Sequence, residues 1–141
     1  MFILDMYNAA IYPRHDQRAR ARIDCDLPLR PGCRGDEYLA KLRQALPGFL
    51  DSISRGGEVA LGVYNAGTDV FAGDQLGGLA LTADDVLQRD RFVIEQFRAR
   101  GIPVVMLPSG GYSRHSYLLL AASVLDLLQR HAPRPGNHPA S

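Results

Sequence analysis

The chain has 141 residues, with 16 Lys and Arg against 15 Asp and Glu, a formal charge of +1 and 46% hydrophobic content. That length suits one domain able to bury a substantial core. The near-even charge provides no field that would draw nucleic acid, an anionic membrane or acidic substrates.

No apolar run approaches the roughly 20 residues needed to cross a bilayer, and no cleavable signal sequence is evident. Cys25 and Cys33 stand eight positions apart without metal-site spacing, which predicts free thiols in a reducing cytoplasm. We therefore expect a cytoplasmic protein with neither a membrane nor a nucleic-acid partner.

Phe2 to Met6 is apolar enough for a strand, and with only Met1 before it the chain is expected to begin inside its fold. Tyr7 to Arg22 reads as a loop interrupted by Pro13. Its Arg14, Arg18, Arg20 and Arg22 lack interleaved aromatics for stacking bases, so they predict a solvated connection. Arg22 to Leu29 alternates polar and apolar up to Pro28 and suits a short edge-like extended segment. A turn over 30–35 then leads into an amphipathic helix, with Asp36 as N-cap and Tyr38, Leu39, Leu42, Leu46, Phe49 and Leu50 along one face. Pro47 is expected to kink or divide that helix. Cys33 has no histidine near it in sequence and is not read as a nucleophile.

Glu58 to Tyr64 has the composition of a buried parallel strand. It runs into Asn65-Ala66-Gly67-Thr68-Asp69-Val70-Phe71-Ala72-Gly73-Asp74, a loop with two carboxylates among small residues. Ligands in open α/β sheets gather beyond the carboxyl ends of strands, so Asp69 is expected to point into a crevice. An acid in that position is, on its own, as readily a turn or cap residue as a ligand. Asp74 is placed to accept backbone N–H bonds and fix the Asp69 loop rather than to bind metal directly.

Residues 73–81, with Gly77 and Gly78, should be irregular. Thr82 then caps a helix that carries Asp84 and Asp85 in its first turn and ends at Gly101. Ile102 to Leu107 is the next buried strand, with Pro103 near its start where a lost donor is tolerated. Strand, helix and strand at this spacing form a right-handed βαβ unit with parallel strands. Ser109-Gly110-Gly111-Tyr112 leaves the sheet at the same edge as Asp69. Two glycines allow a close backbone approach that would set a tyrosine hydroxyl over a small site, although a flexible turn with an incidental tyrosine has the same composition. Tyr117 to Leu128 forms the last helix. The domain is expected to span 1–131, followed by a disordered tail over 132–141.

The Asp69 and Gly-Gly-Tyr stretches occur in order, together with Ile11-Tyr12-Pro13 and Leu27-Pro28-Leu29 followed by Gly35-Asp36-Glu37-Tyr38-Leu39. This succession closely resembles the zinc-dependent histone deacetylase family over nearly the whole chain, in particular its class IV branch and bacterial relatives. Ser109, where the wider family often has glycine, agrees with class IV. The resemblance implies an α/β fold with a three-layer open parallel sheet of the arginase/deacetylase type, present only as its C-terminal half. It further implies Asp69 as a zinc ligand and Tyr112 as the catalytic hydroxyl that polarises the acyl carbonyl. Tyr12, Gly110 and Gly111 would line the tunnel for the acyl-lysine chain, and Asp74 would support the metal ligand from behind.

In the family, an Asp-x-His pair and paired histidines complete the site, and both would lie upstream of Met1. His15, His115, His131 and His138 match neither motif. The resemblance thus implies a deacetylase of acetyl-lysine or a related acyl-amide, acetylpolyamines included, that is incomplete and inactive alone, with zinc bound weakly or not at all. Its partners would be that substrate and either a separately encoded N-terminal half or a second copy of itself. An uncovered Phe2–Met6 strand would make it marginally stable or self-associating. A second reading is a non-catalytic binding module that keeps part of the acyl-lysine groove around Tyr12 and Tyr112. A receiver-like phosphate-accepting domain is a third, but it would need acids clustered at the first strand and a lysine after a late strand, whereas the chain's only lysine is Lys41.

Overall fold

Strands and helices alternate along the chain in the computed structural model, which describes residues 1–132. The order is β1 (Leu4–Asn8), α1 (Gln17–Arg20), β2 (Cys25–Leu29), α2 (Gly35–Arg55), β3 (Gly62–Ala66), α3 (Ala83–Arg98), β4 (Val104–Pro108) and α4 (Ser116–His131). The expected disordered tail falls on residues 133–141, outside the described residues, apart from Ala132, which follows α4.

Pairing is parallel throughout, as the βαβ spacing requires. β1 pairs with β2, Asp5 beside Asp26, and β3 pairs with β4, Tyr64 beside Met106. The described strands form two separate two-stranded sheets. After β2 the chain turns at once into α2, so the segment there contributes only a single bridge, Arg34 to Ala80, and a further bridge joins Phe71 to Leu81. All four strand starts differ from expectation, with β2 beginning at Cys25 rather than Arg22 and β4 at Val104 rather than Ile102, so that Pro103 lies before its strand. Phe2 and Ile3 precede β1, although the Ile3 carbonyl still accepts from the Asp24 and Cys25 amides. β3 begins at Gly62, whose amide donates to the Pro103 carbonyl at 2.8 Å. Pro103 has no N–H to return, which ends the ladder there.

Local chemistry sets the helix ends. Asp16 accepts from the Arg18 and Ala19 amides and so starts α1 within the expected loop. α2 is capped at Arg34 rather than Asp36: Tyr38 N–H reaches the Arg34 carbonyl at 2.9 Å, so Gly35 is already helical. Asp36 and Glu37 instead favour the positive end of its dipole. Pro47 lies within one continuous 21-residue helix, because the face carrying Leu42, Leu46 and Leu50 stays buried on both sides of it. Thr82 and Asp85 form a capping box at the start of α3. At its end Gly101 has φ +67°, and the Gly101 and Ile102 amides reach back to the Arg98 and Phe97 carbonyls at 3.0 and 3.1 Å. That is a Schellman closure around a left-handed glycine.

Tyr38, Leu39, Leu42, Leu46 and Leu50 of α2 meet Leu29, Val70, Leu79 and Leu81, with Val86 and Val93 of α3 and Leu119 of α4, in one buried cluster. Each fully buried aliphatic side chain there contributes roughly 1.5–3 kcal/mol. Leu4 and Met6 of β1 pack against this cluster, so the exposed apolar surface expected there is confined to Met1 and Phe2. The opposite face of β3 and β4 carries Val63, Val105 and Leu107 outward. Among the described residues no helix is long and apolar enough to cross a membrane, and Cys25 and Cys33 are free.

Candidate functional site

Because β3 and β4 are parallel and in register from Gly62 beside Val104 to Ala66 beside Pro108, the loops that follow them leave from the same end. The Gly110 carbonyl joins those loops by accepting from the Thr68 amide and from the Asp69 amide, the latter at 3.2 Å. Gly110 lies close against the Asp69 carboxylate: a Cβ there would lie 2.4 Å from Asp69 Oδ2, so the carboxylate would have to move. Across the loop, a Cβ on Gly77 would lie 1.7 Å from the Asp69 carbonyl oxygen. A Cβ on Gly111 would run into Thr68 Oγ1 and Ser116 Oγ.

Asp69, the expected metal ligand, is half-buried in this nest. Burial and the neighbouring Asp74 charge push its carboxyl above the ordinary range, against the smaller pull of its own and the Val70 amides and of Arg89. Asp74 goes the other way. Burial raises it, but backbone N–H groups of Leu76, Tyr112, Gly77 and Ser113 together hold it below the ordinary value. Its Oδ1 accepts from the Leu76 and Gly77 amides, both at 2.9 Å, and its Oδ2 from the Tyr112 amide at 2.6 Å. The carboxylate thus joins the Asp69 loop to the Tyr112 loop. Tyr112 itself is 56% exposed.

Tyr12 precedes a cis peptide to Pro13, and its ring stands edge-on to Tyr7 with centroids 5.9 Å apart. Its loop is tied to the flank of the site through Asn8, whose Nδ2 donates to the Gly77 carbonyl at 3.0 Å. Asp69, Asp74, Gly110, Gly111 and Tyr112 therefore come together, with the Tyr12 loop anchored alongside.

The described residues do not by themselves make a zinc centre. No three of their His, Cys, Asp and Glu side chains gather in a group that could hold a metal ion, whereas structural and hydrolytic zinc sites take at least three protein ligands. Asp69 offers one carboxylate oxygen donor of the hardness that a divalent cation accepts.

Behind the Asp69 loop lies a buried polar network that the sequence reading passed over. Arg89 and Asp90, 3% and 2% exposed, form an ion pair on α3. Asp90 accepts from the Tyr64 hydroxyl on β3 and, at 2.6 Å, from Ser123 Oγ on α4. Burial opposes the Arg89 charge, but Tyr64, Tyr38 and Asp90 outweigh it and keep the guanidinium protonated. A signal was present: Asp90 interrupts the apolar stripe Val86, Val93 and Phe97 at helical spacing, where a charge demands partners.

The chain folds as parallel α/β units, and its Asp69 loop converges with a Gly-Gly-Tyr turn. The chain belongs to the histone deacetylase family: the family model described as "Histone deacetylase domain" matches residues 1–128. It is 44% identical over 127 residues to "Histone deacetylase 2" of Arabidopsis thaliana, covering 90% of this chain and 32% of that protein. It is also 32% identical over 132 residues to an uncharacterised protein of Picosynechococcus, covering 94% of this chain and 39% of that protein. The chain thus spans about a third of the length of the curated relatives it matches.

Proposed function

We propose that this chain supplies the Asp69 and Tyr112 part of a zinc-dependent deacetylase site acting on acetyl-lysine or a related acyl-amide. In this reading the other metal ligands and the proton-handling histidine come from polypeptide outside residues 1–141, and the chain alone does not turn over substrate. The observation that carries it is the Gly110 carbonyl accepting from both the Thr68 and Asp69 amides, which holds an acidic and a tyrosyl loop together in a chain of this family. Asp69 would contribute one ligand and Tyr112 its hydroxyl to the developing oxyanion. Asp74 would keep the two loops in register. The kinship with "Histone deacetylase 2" of Arabidopsis supports the reaction class.

The test is a chimera in which this chain replaces the matching segment of that Arabidopsis protein. The chimera is expected to release acetate from acetyl-lysine peptides. Asp69→Ala should abolish turnover and Tyr112→Phe should lower kcat by about 10²–10³. A folded chimera without activity, or activity indifferent to Asp69→Ala, would overturn the reading. So would robust zinc-dependent turnover by the isolated chain.

The exposed rings of Tyr12 and Tyr112, 48% and 56% accessible, favour one alternative, a binding module that holds an acylated lysine without hydrolysing it. Calorimetric titration of the isolated chain with acetylated and unmodified peptides separates the two. Acetyl-dependent binding by the chain, with an inactive chimera, would favour the module.

A further inference from the structure

Arg89 is buried with its charge, and its bonds point to one place. Its Nε donates to Asp90 Oδ1 at 2.8 Å, and its Nη1 donates to the Gly67 carbonyl at 2.7 Å. Nη2 lies 2.8 Å from the same Asp90 oxygen but is not aligned with it, and this buried nitrogen has no hydrogen-bond partner among the described residues. The guanidinium carbon sits 5.9 Å from the centroid of the Tyr64 ring. Desolvating two ions is a poor way to stabilise a fold, since a well-packed apolar pair often does as well. What the pair adds is direction: Asp90 is fixed by Tyr64 and Ser123 from two other elements, and Arg89 is fixed by Asp90.

Gly67 C=O and Thr68 N–H belong to one peptide group. Arg89 holds its carbonyl, and Gly110 O accepts from its N–H. A trans peptide points these two groups in opposite directions, so the plane is gripped from both sides, from α3 and from the Gly-Gly-Tyr turn. Asp69 follows by one residue, and its own amide donates to the same Gly110 oxygen.

We propose that Arg89 is a positioning residue for Asp69, acting through the Gly67 carbonyl, with Asp90 setting the direction of its guanidinium. The consequence for catalysis rests on the deacetylase reading, but the mechanical claim stands apart from it. Lysine in place of Arg89 keeps the charge but loses the planar fork that reaches Asp90 and Gly67 together. Asp126→Asn weakens the ion pair between Asp126 of α4 and Arg91 of α3 without touching Asp90, Arg89 or Gly67, and so reports a purely structural loss.

Amide hydrogen exchange on the isolated chain tests the mechanics. Arg89→Lys is expected to speed exchange at Thr68 and Asp69 at least tenfold while Leu42 and Leu46 of α2 stay protected. Asp126→Asn is expected to leave the ratio between the two regions unchanged. In the active chimera, Arg89→Lys should lower kcat at least tenfold with KM within twofold, and Asp126→Asn should lower thermal stability with kcat unchanged. Uniform acceleration across the chain, or unchanged exchange at Thr68 and Asp69, would overturn the proposal. The unsubstituted chain gives a check that needs no variant: a through-hydrogen-bond coupling between Arg89 Nη1 and the Gly67 carbonyl carbon is expected, and a freely rotating guanidinium would overturn the proposal. An inactive chimera with locally faster exchange in Arg89→Lys would sink the deacetylase reading and leave the positioning role standing.

Discussion

The Asp74 carboxylate accepts the amide proton of Tyr112 across 38 positions of sequence, so the acidic loop after β3 and the tyrosyl loop after β4 share one anchor. Asparagine at this position would turn an NH2 group towards a backbone N–H or give up one of the bonds. Asp74→Asn is expected to destabilise the chain by about 1–3 kcal/mol. It should also broaden the backbone resonances of Tyr112 and Ser113 more than those of β4. Urea unfolding gives the first quantity and heteronuclear spectra the second. An unchanged midpoint would show that the anchor carries no free energy.

A second carboxylate provides a pH test remote from the site. Asp126 on α4 binds Arg91 of α3 through two bonds, at 2.7 and 3.0 Å, and Arg130 one turn further along α4. Hydrogen bonds from Arg91, then Arg130, outweigh burial and hold its carboxyl at about 2, below the ordinary 3.8. A folded value below the unfolded one contributes stability that is present above pH 3.8 and is lost as pH falls towards 2. Asp126→Asn should therefore lower the unfolding midpoint at neutral pH and converge with the unsubstituted chain in acid. The gap should narrow in high salt, because the pair is partly exposed and screened. A gap that persists at low pH would mean that packing, not charge, is responsible.

What the sequence disclosed depended on whether the determining interaction was local. Thr82 and Asp85 cap α3 within four residues, and Gly101 closes it through its own left-handed conformation, so composition alone located both ends. The strand starts were displaced because pairing, not hydrophobicity, sets them. Glu58 to Leu61 is apolar enough to be extended, but the ladder starts opposite Pro103, and nothing within that segment encodes its partner. The division into two strand pairs was hidden for the same reason. At the site, the convergence of the Asp69 and Tyr112 loops was legible, because each follows a strand of one parallel pair. Arg89 was not, because its partners Gly67 and Tyr64 lie 22 and 25 positions away and a charged residue on a helix is ordinarily solvated.

The tight approach of Gly110 to Asp69 yields a prediction about shape. A methyl group there would meet Asp69 Oδ2 at 2.4 Å, so either the carboxylate rotates or the loops separate. Gly110→Ala is expected to cost about 1–3 kcal/mol of stability, as overpacking usually does. In the chimera it should reduce kcat more than it raises KM. Gly32→Ala is a useful contrast, since open space surrounds that position but its φ of +72° is strained for alanine. It should destabilise through the backbone without changing kcat. Equal loss of activity in both variants would show that the effect of Gly110→Ala is global.

Asp69 and Asp74 should respond to the same substitution with opposite signs. Burial, then the Asp74 charge, raise the Asp69 carboxyl above 3.8, so its ionised form is less favourable in the folded chain than in the unfolded one. That penalty is present above the folded value and is relieved as pH falls through it towards 3.8. Asp69→Asn removes the ionisation and keeps one oxygen to accept a backbone N–H. It is expected to raise the unfolding midpoint at pH 7, with the gain fading on acidification, whereas Asp74→Asn lowers the midpoint. In the chimera Asp69→Asn should be inactive. A carboxylate kept where it costs stability is the pattern of a functional group held against its folding preference. Parallel denaturation curves at pH 7 and pH 3 decide it. A destabilised Asp69→Asn chain at neutral pH would mean that Asp69 is a structural acceptor like Asp74 and would remove the energetic argument for a functional carboxylate.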